Sequence, residues 1–417
     1  MPHPLKLGIV GAGFIARFHA KAMLQVRGIE IRGVLSRTEA SARSFAQMAN
    51  DSGLGECKVF QDVGEMAKHV DVIAIYAPNF TRIETVEKIV EAVQKGAALK
   101  GLICEKPLAR NVKEARRLVE LAQSVQLPTA YFENQIFMKL IQAQLKQLAP
   151  QQRSMGPLML TRSAEEHGGP HEPWFWDPTR QGGGVLSDMG CHSIAVGWYA
   201  LTPLEKPLTF LKPVSISADC SLLKWGLPHW RERLLKKFGV DYAKTPAEDF
   251  ATGMITYKNP ESGQIVKAQF TDSWMFEKQG LRLFMDGMGP GYAFEVNTLQ
   301  SSLQIFIGDA AAEATADAET ALEKSTASRG LLAVQYNEPD LYGYTDEIED
   351  ALRAFSAGRD AMLPWSYGLE IVKLAMAGYM SSERKQTIDL TSPAIQKELE
   401  TFVPLIQQGR GAEVLYA

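Results

Sequence analysis

The sequence predicts an α/β protein of two domains: a doubly wound parallel sheet, then an α+β domain whose strands pair mostly antiparallel. Three observations carry this prediction. The chain has 417 residues, more than one ordinary core holds. Up to Tyr131, short apolar runs alternate with helical patterns, as parallel crossovers require. From Phe250 onward, strand-like runs follow one another without helices between them, which demands antiparallel pairing.

Composition narrows the function classes. Hydrophobic residues are 46% and charged residues 22%, the balance of a water-soluble globular chain. A net charge of −4 gives no basic excess to attract nucleic acid or an anionic membrane. Cys57, Cys104, Cys191 and Cys220 are scattered without a C-x-x-C pair, so neither zinc nor a disulfide framework is expected. The N-terminus lacks a long apolar segment and no run of about 18 apolar residues occurs. The expectation is a cytoplasmic protein with free thiols.

In chain order, Leu7 to Val10 is a strand that ends in Gly11-Ala12-Gly13-Phe14-Ile15-Ala16 and opens into a helix. In such a G-x-G-x-x-A turn the first glycine permits the bend. The second lets backbone approach a pyrophosphate, and the alanine lets helix and strand pack closely. Free N–H groups of the helix start, including those of Phe14 and Ile15, then face the phosphates. The second strand, Ile29 to Leu35, ends in Ser36-Arg37-Thr38 in place of the acidic residue that bonds a ribose 2′-hydroxyl. Ser36 and Thr38 can donate to a 2′-phosphate and Arg37 can pair with it, which favours NADP over NAD.

A helix (Glu39 to Ala49), a short strand (Lys58 to Phe60) and another helix follow. Val70 to Ala77 reads as a buried parallel strand closed by Pro78-Asn79. The next helix runs through Gln94. Leu102 to Cys104 is a strand ending in Glu105-Lys106-Pro107, and Asn111 caps the following helix with Glu114 at the capping-box position. Gly11, Ser36, Pro78 and Lys106 all stand at carboxyl ends of strands, the edge where such sheets bind ligands.

Beyond Tyr131, a helix (Asn134 to Leu148) and a strand (Leu158 to Glu165) lead to a loop of aromatics and polar groups, Glu166 to Arg180. His167, Trp176 and Arg180 are its candidate substrate contacts. The loop delivers the chain to Gly182-Gly183-Gly184-Val185-Leu186-Ser187-Asp188-Met189-Gly190-Cys191-His192. Asp188 and His192 are four apart, so on a helix they share a face. A carboxylate beside an imidazole suits proton transfer near neutral pH. Pro228 to Gly239 is an amphipathic helix, read as a solvated insertion in preference to a subunit contact. Strands are expected at Phe250 to Tyr257, Ile265 to Ser273, Leu281 to Met285, Ala293 to Val296 and Leu303 to Ile307. Ala310 to Ala327 reads as an exposed helix or insertion without chemistry. Tyr342 and Tyr344 are expected to pack at the start of a helix, Glu347 to Ala357. A helix from Tyr367 to Met380 should break at Ser381-Ser382. A last helix should open at Ala394, after Ser392-Pro393 as cap and first residue, and end or kink at Pro404.

Taken together, Gly11 to Ala16, Pro78-Asn79, Glu105-Lys106-Pro107-Leu108 and the Gly182–His192 stretch resemble the glucose–fructose oxidoreductase / inositol dehydrogenase / MocA family. Ala247 to Ala251 and Asp286 to Gly291 are similar to its later landmarks. The resemblance implies a Rossmann domain over residues 1–131 that binds NAD or NADP. It implies a substrate-binding and oligomerising domain over 132–417, with a large open sheet. It further implies that Lys106, Asp188 and His192 line the substrate site and that the Lys106–Pro107 peptide is cis, as it often is in the family; no metal is expected, because the His and Glu residues of the 166–180 loop fit no familiar metal spacing and hydride transfer needs none. Glu105, Lys106, Pro78 and Asn79 join Gly11, Gly13, Phe14, Ile15, Ser36, Arg37 and Thr38 as expected cofactor contacts. Three stretches depart from the family: Arg82 stands where a histidine is usual, Glu133 to Phe137 replaces an Asn-x-Arg-Phe, and Lys95 to Gly101 is longer than usual.

The expected activity is hydride transfer between nicotinamide and a secondary alcohol or ketone carbon of a sugar, polyol or glycoside, in a homodimer or homotetramer. Lys106 would stabilise alkoxide charge, His192 exchange the proton and Asp188 position them. The alternatives are a cofactor-retaining enzyme that uses transient oxidation for glycoside cleavage or elimination, and a non-catalytic nucleotide sensor. Gly182 to Gly184 are expected to bring the helix start close to the nicotinamide, so that Gly184→Val lowers turnover more than stability.

Overall fold

The computed structural model describes residues 4–277, 280–300, 304–307, 330–333 and 337–416. The expected Ala310–Ala327 insertion and Leu303 lie outside them. The chain forms two compact units, Met1–Lys139 with Pro339–Val372, and Leu140–Glu338 with Lys373–Ala417.

The first unit carries a six-stranded sheet in the order β3-β2-β1-β4-β5-β6. Its strands are β1 (Leu5–Val10), β2 (Ile29–Leu35), β3 (Lys58–Val59), β4 (Val72–Ile75), β5 (Gly101–Glu105) and β6 (Thr129–Phe132). Every pair is parallel. β4, β5 and β6 are buried along their whole length, which is why they read as mostly apolar runs without alternation. Helices α1 (Phe14–Met23), α2 (Glu39–Asp51), α3 (Val63–Ala67), α4 (Arg82–Gln94) and α5 (Val112–Ser124) make the crossovers. The Asn111 side chain accepts from Glu114 N at 3.0 Å, the cap expected there.

Residues 339–372 complete this unit. Tyr131 N donates to Leu363 O at 2.7 Å and Ala361 N to Thr129 O at 3.1 Å, so the segment covers the free edge of β6. Thr129 N and Oγ1 both reach Asp360 Oδ1, at 2.7 and 3.0 Å. Tyr342 and Tyr344 are buried as expected, and the Tyr344 ring meets Phe18 edge-on at 4.9 Å.

The second unit is built on a seven-stranded sheet, β12-β11-β7-β10-β9-β8-β15. The strands are β7 (Leu160–Glu166), β8 (Lys212–Ser221), β9 (Phe250–Lys258), β10 (Ile265–Ser273), β11 (Arg282–Gly289), β12 (Tyr292–Asn297) and β15 (Ile388–Asp389). Only β7 and β10 run parallel; the other neighbours are antiparallel. A separate antiparallel pair joins β13 (Gln304–Ile307) to β14 (Gly330–Ala333). The helix Cys191–Leu201 lies on β7 and β10. The helix Pro228–Phe238 buries only Leu234 fully and ends on left-handed Gly239.

The expected break at Ser381-Ser382 does not occur, because the helix runs from Trp365 to Arg384. Both hydroxyls are used sideways: Ser381 Oγ accepts from Ala218 N at 3.0 Å and Ser382 Oγ from Cys220 N at 2.9 Å. Serines thus tie the helix to β8 without interrupting it. The helix expected after Ser392 opens at Pro393 and ends at Leu399, before Pro404; it is not the last, because a short helix, Ala412–Leu415, follows.

Candidate functional site

The registers of the first sheet set one row of strand ends. Val10 pairs with Leu35 and Ile75, Ile75 with Cys104, and Glu105 with Phe132. The next residues along, Gly11, Ser36 and Tyr76, with Glu105 itself, therefore share one edge.

At this edge Gly11 has φ +99°, and a Cβ on it would stand 2.7 Å from Ala77 N, so no other residue fits. Gly13 differs: nothing lies within 4 Å of the position a Cβ would take. It precedes α1 without any side-chain cap, and the first turn of α1 holds no acidic residue. Phe14 is 37% exposed there, and Ala16 is buried against the sheet. An uncapped helix start with an open glycine fits the pyrophosphate of a dinucleotide. Ser36 is half-buried and Arg37 exposed. Thr38 caps α2, its Oγ1 accepting from Ser41 N at 3.3 Å and lying 2.7 Å from Ser41 Oγ.

Pro78 O accepts from Thr81 Oγ1 at 2.8 Å, and Asn79 is buried. Arg82, at 3% exposure, aims its guanidinium at three carbonyls: Pro107, Leu108 at 3.1 Å and Ala77 at 3.4 Å. It thereby fixes the turn after Lys106, whose peptide bond to Pro107 is cis.

Glu105 is buried beneath Lys106. Its Oε1 lies 2.7 Å from His19 Nε2, and its Oε2 accepts from Lys106 N at 2.9 Å. Burial alone would push this carboxyl up. The His19 hydrogen bond, with the charges of His19, Lys106 and Arg82, outweighs burial and holds it below the usual carboxylate range. The His19 ring stacks on Tyr76 at 4.3 Å. No motif singles out His19; its only signal in the sequence is its place on the buried side of α1, three residues after Ala16.

In the second unit, the glycine-rich stretch is not the open helix start it resembles. Leu186 to Gly190 forms one π-helical turn before the α-helix from Cys191, a local widening often found at functional sites. Gly184 N and Leu186 N donate to Glu248 Oε1 at 3.0 and 3.1 Å, Val185 N to Glu248 O at 3.1 Å, and Ser187 N to Tyr379 Oη at 3.1 Å. Tyr379 Oη in turn donates to Glu248 Oε1 at 2.6 Å. The helix start is closed from within.

A Cβ on Gly184 would lie 2.1 Å from Glu248 O, and one on Gly183 2.0 Å from Tyr379 Oη. The glycines are therefore needed for packing on Glu248 and Tyr379. This replaces the expectation that Gly184→Val acts mainly on turnover. It also gives the Ala247–Ala251 landmark a reason: Glu248 caps this turn, and Asp249 accepts from Leu223 N and Trp225 N at 2.8 and 2.6 Å.

Asp188 and His192 are both buried, at 3% and 4% exposure. His192 Nε2 stands 3.8 Å from Glu165 Oε2, a neighbour that no motif in the sequence marks. The signal was the alternation of β7, where Thr161, Ser163 and Glu165 share the inward face.

His167 is buried, its Nδ1 accepting from Gly169 N at 2.9 Å, so the neutral ring carries its proton on Nε2. Trp176 is interior: its Nε1 donates to Pro170 O at 3.0 Å, and its ring meets Trp225 and Trp274 at 4.6 and 5.0 Å. Arg180 is exposed and 3.4 Å from Asp177. No helix among the described residues is long and apolar enough to cross a membrane.

Comparison with known proteins agrees with this layout. Residues 5–131 match the oxidoreductase family with an NAD-binding Rossmann fold, and residues 144–287 match the C-terminal domain of the same GFO/IDH/MocA family. Glucose-6-phosphate 3-dehydrogenase of Bacillus subtilis is 26% identical over 46% of this chain and 53% of its own. The chain spans about half the length of the first curated relatives it matches. Inositol 2-dehydrogenase of Rhizobium meliloti is 21% identical over 93% of this chain and 99% of its own. Among solved structures, GenD2 of gentamicin A biosynthesis, in complex with NAD, has the same fold. It superposes with a TM-score of 0.72 at 19% identity, over 94% of this chain and 98% of that one.

Proposed function

The chain belongs to the GFO/IDH/MocA oxidoreductase family, and on that premise we propose that it is an NAD(P)-dependent dehydrogenase or reductase of a sugar, polyol or glycoside carbon. The observation that carries the reading is the uncapped start of α1 beside the open face of Gly13, on the same strand edge as Glu105 and Lys106. Gly11, Gly13, Phe14 and Ile15 would hold the pyrophosphate, with Pro78, Asn79, Glu105 and Lys106 along the same edge. Ser36 and Arg37 favour a 2′-phosphate, hence NADP; Thr38 contributes less, because its hydroxyl already serves α2.

A bound nicotinamide dinucleotide would supply the hydride acceptor or donor. The chain's own work is then at the substrate oxygen. The Lys106 ammonium stabilises negative charge developing there. His192 takes the hydroxyl proton on oxidation and returns it on reduction. Asp188 orients these groups. His167 and Arg180 are assigned to substrate contact, while Trp176 supports the loop from inside. Dinucleotide binding is assigned to the first unit, and substrate binding and self-association to the second. Exposed Met254, Ile265 and Met288 lie on one face of β9, β10 and β11, which supports a homodimer or homotetramer through that sheet. Four buried free thiols support a reducing, cytoplasmic setting.

The test is a panel of sugars, polyols and glycosides, each with NAD and NADP, followed by nicotinamide absorbance. Turnover with at least one substrate, faster with NADP, is expected. Lys106→Ala should abolish turnover while nucleotide still quenches protein fluorescence. Nucleotide binding without turnover on any substrate would favour a sensor.

A further inference from the structure

The inner faces of β7 and β10 present a polar row to the helix Cys191–Leu201. Thr161 Oγ1 donates to Gly197 O at 3.4 Å, and Ser163 Oγ to Ser193 O at 2.8 Å. One step further along the same face stands Glu165, at 3% exposure, 3.8 Å from His192 Nε2. Its register partner on β10 is Asp272. Asp272 Oδ1 accepts from Ser193 Oγ at 2.6 Å and from Glu165 N at 3.3 Å. His192 thus has Glu165 of β7 within ion-pair reach, Asp272 of β10 bonded to the neighbouring Ser193, and Asp188 and Cys191 on its own helical segment.

We propose that Glu165 is a positioning residue for His192: its carboxylate holds the imidazole ring at Nε2 and stabilises the proton that ring gains. The proposal rests on the proton-transfer role given to His192 above. Two carboxyl groups lie close to that helix, and they differ in kind. Burial pushes the Asp272 carboxyl well above the usual range against its hydrogen bonds. A neutral carboxylic acid does little for a nearby cation; a carboxylate within ion-pair reach stabilises it. Glu165 stands at that reach of His192 Nε2, whereas Asp272 is turned to the Ser193 hydroxyl and the β7 backbone.

The test reads His192 directly in the resting protein, without substrate. The ring C–H signal is followed by NMR across pH and assigned by its loss in His192→Ala. Glu165→Gln keeps the shape and removes the charge, so the His192 midpoint should fall by about one pH unit. Glu165→Asp, which keeps the charge at longer reach, should lower it less, and it carries the test if the glutamine variant does not fold. Asp272→Asn should leave the midpoint where it is. A midpoint unmoved by the Glu165 variants, or one that follows Asp272 instead, overturns the proposal. On an active substrate, the acidic limb of the kcat/KM profile should move with the midpoint. If no substrate turns over, the functional reading fails while the NMR result still decides on Glu165.

Discussion

Gly13 and Gly184 make opposite demands on the same residue type. Around Gly13 there is only open space; around Gly184 a backbone oxygen sits where a Cβ would be. Gly13→Val should therefore cost about 1 kcal/mol of stability or less, as an N-cap change does, yet abolish nucleotide quenching of fluorescence. Gly184→Ala should cost about 1–3 kcal/mol or prevent folding, as overpacking does, measured by thermal unfolding. Equal stability losses in the two variants would refute the distinction. Arg82→Met should cost about 1–3 kcal/mol, because buried carbonyls of Pro107 and Leu108 lose their donor. In the sequence, both glycine stretches read alike, as glycines opening into a helix. What separates them is Glu248, 64 residues away from Gly184, and no local pattern carries that contact.

At the scale of elements, much was legible. Strands buried on both sides announce themselves as apolar runs, and α5 announces its own cap through Asn111 and Glu114. What was not legible was how helices end and what fills their first turn, since tertiary partners decide both. Ser381-Ser382 looks like a break until β8 supplies the backbone donors its hydroxyls accept. The turn at Leu186 has a titratable cap. Burial pushes the Glu248 carboxyl up to about 7, against hydrogen bonds from Tyr379, Leu186 and Gly184. The folded protein thus keeps a proton that the unfolded chain has already released. Its contribution to stability is full below the ordinary glutamate range and is lost as pH rises through about 7. The unfolding temperature should fall between about pH 5 and about pH 8, and Glu248→Gln should flatten that fall. Identical slopes in both proteins would rule the carboxyl out as the cause.

At the scale of the molecule, the strand–helix alternation revealed the first sheet, but not that residues 339–372 return to it. The signal is absent because Asp360, Leu363 and Trp365 act through a few long-range bonds, with no periodicity of their own. Trp365 Nε1 reaches Ala130 O at 3.1 Å, and Asn134 Nδ2 reaches Tyr342 O at 2.9 Å. Residues 1–139 produced alone should therefore be protease-sensitive and prone to associate through β6. Joining 339–372 to them by a flexible linker should restore a cooperative unfolding transition. A fragment 1–139 that melts cooperatively by itself would show the return segment to be dispensable.

That return also sets a timetable for biosynthesis. The ribosome must add more than two hundred residues after Lys139 before Leu363 can reach β6. At about 5–20 residues per second, the nascent sheet waits on the order of ten to fifty seconds with one edge bare. During that interval the second unit is still emerging, so the nucleotide-binding sheet, though translated first, is finished late, and a chaperone that shields its last strand would raise the yield of native protein.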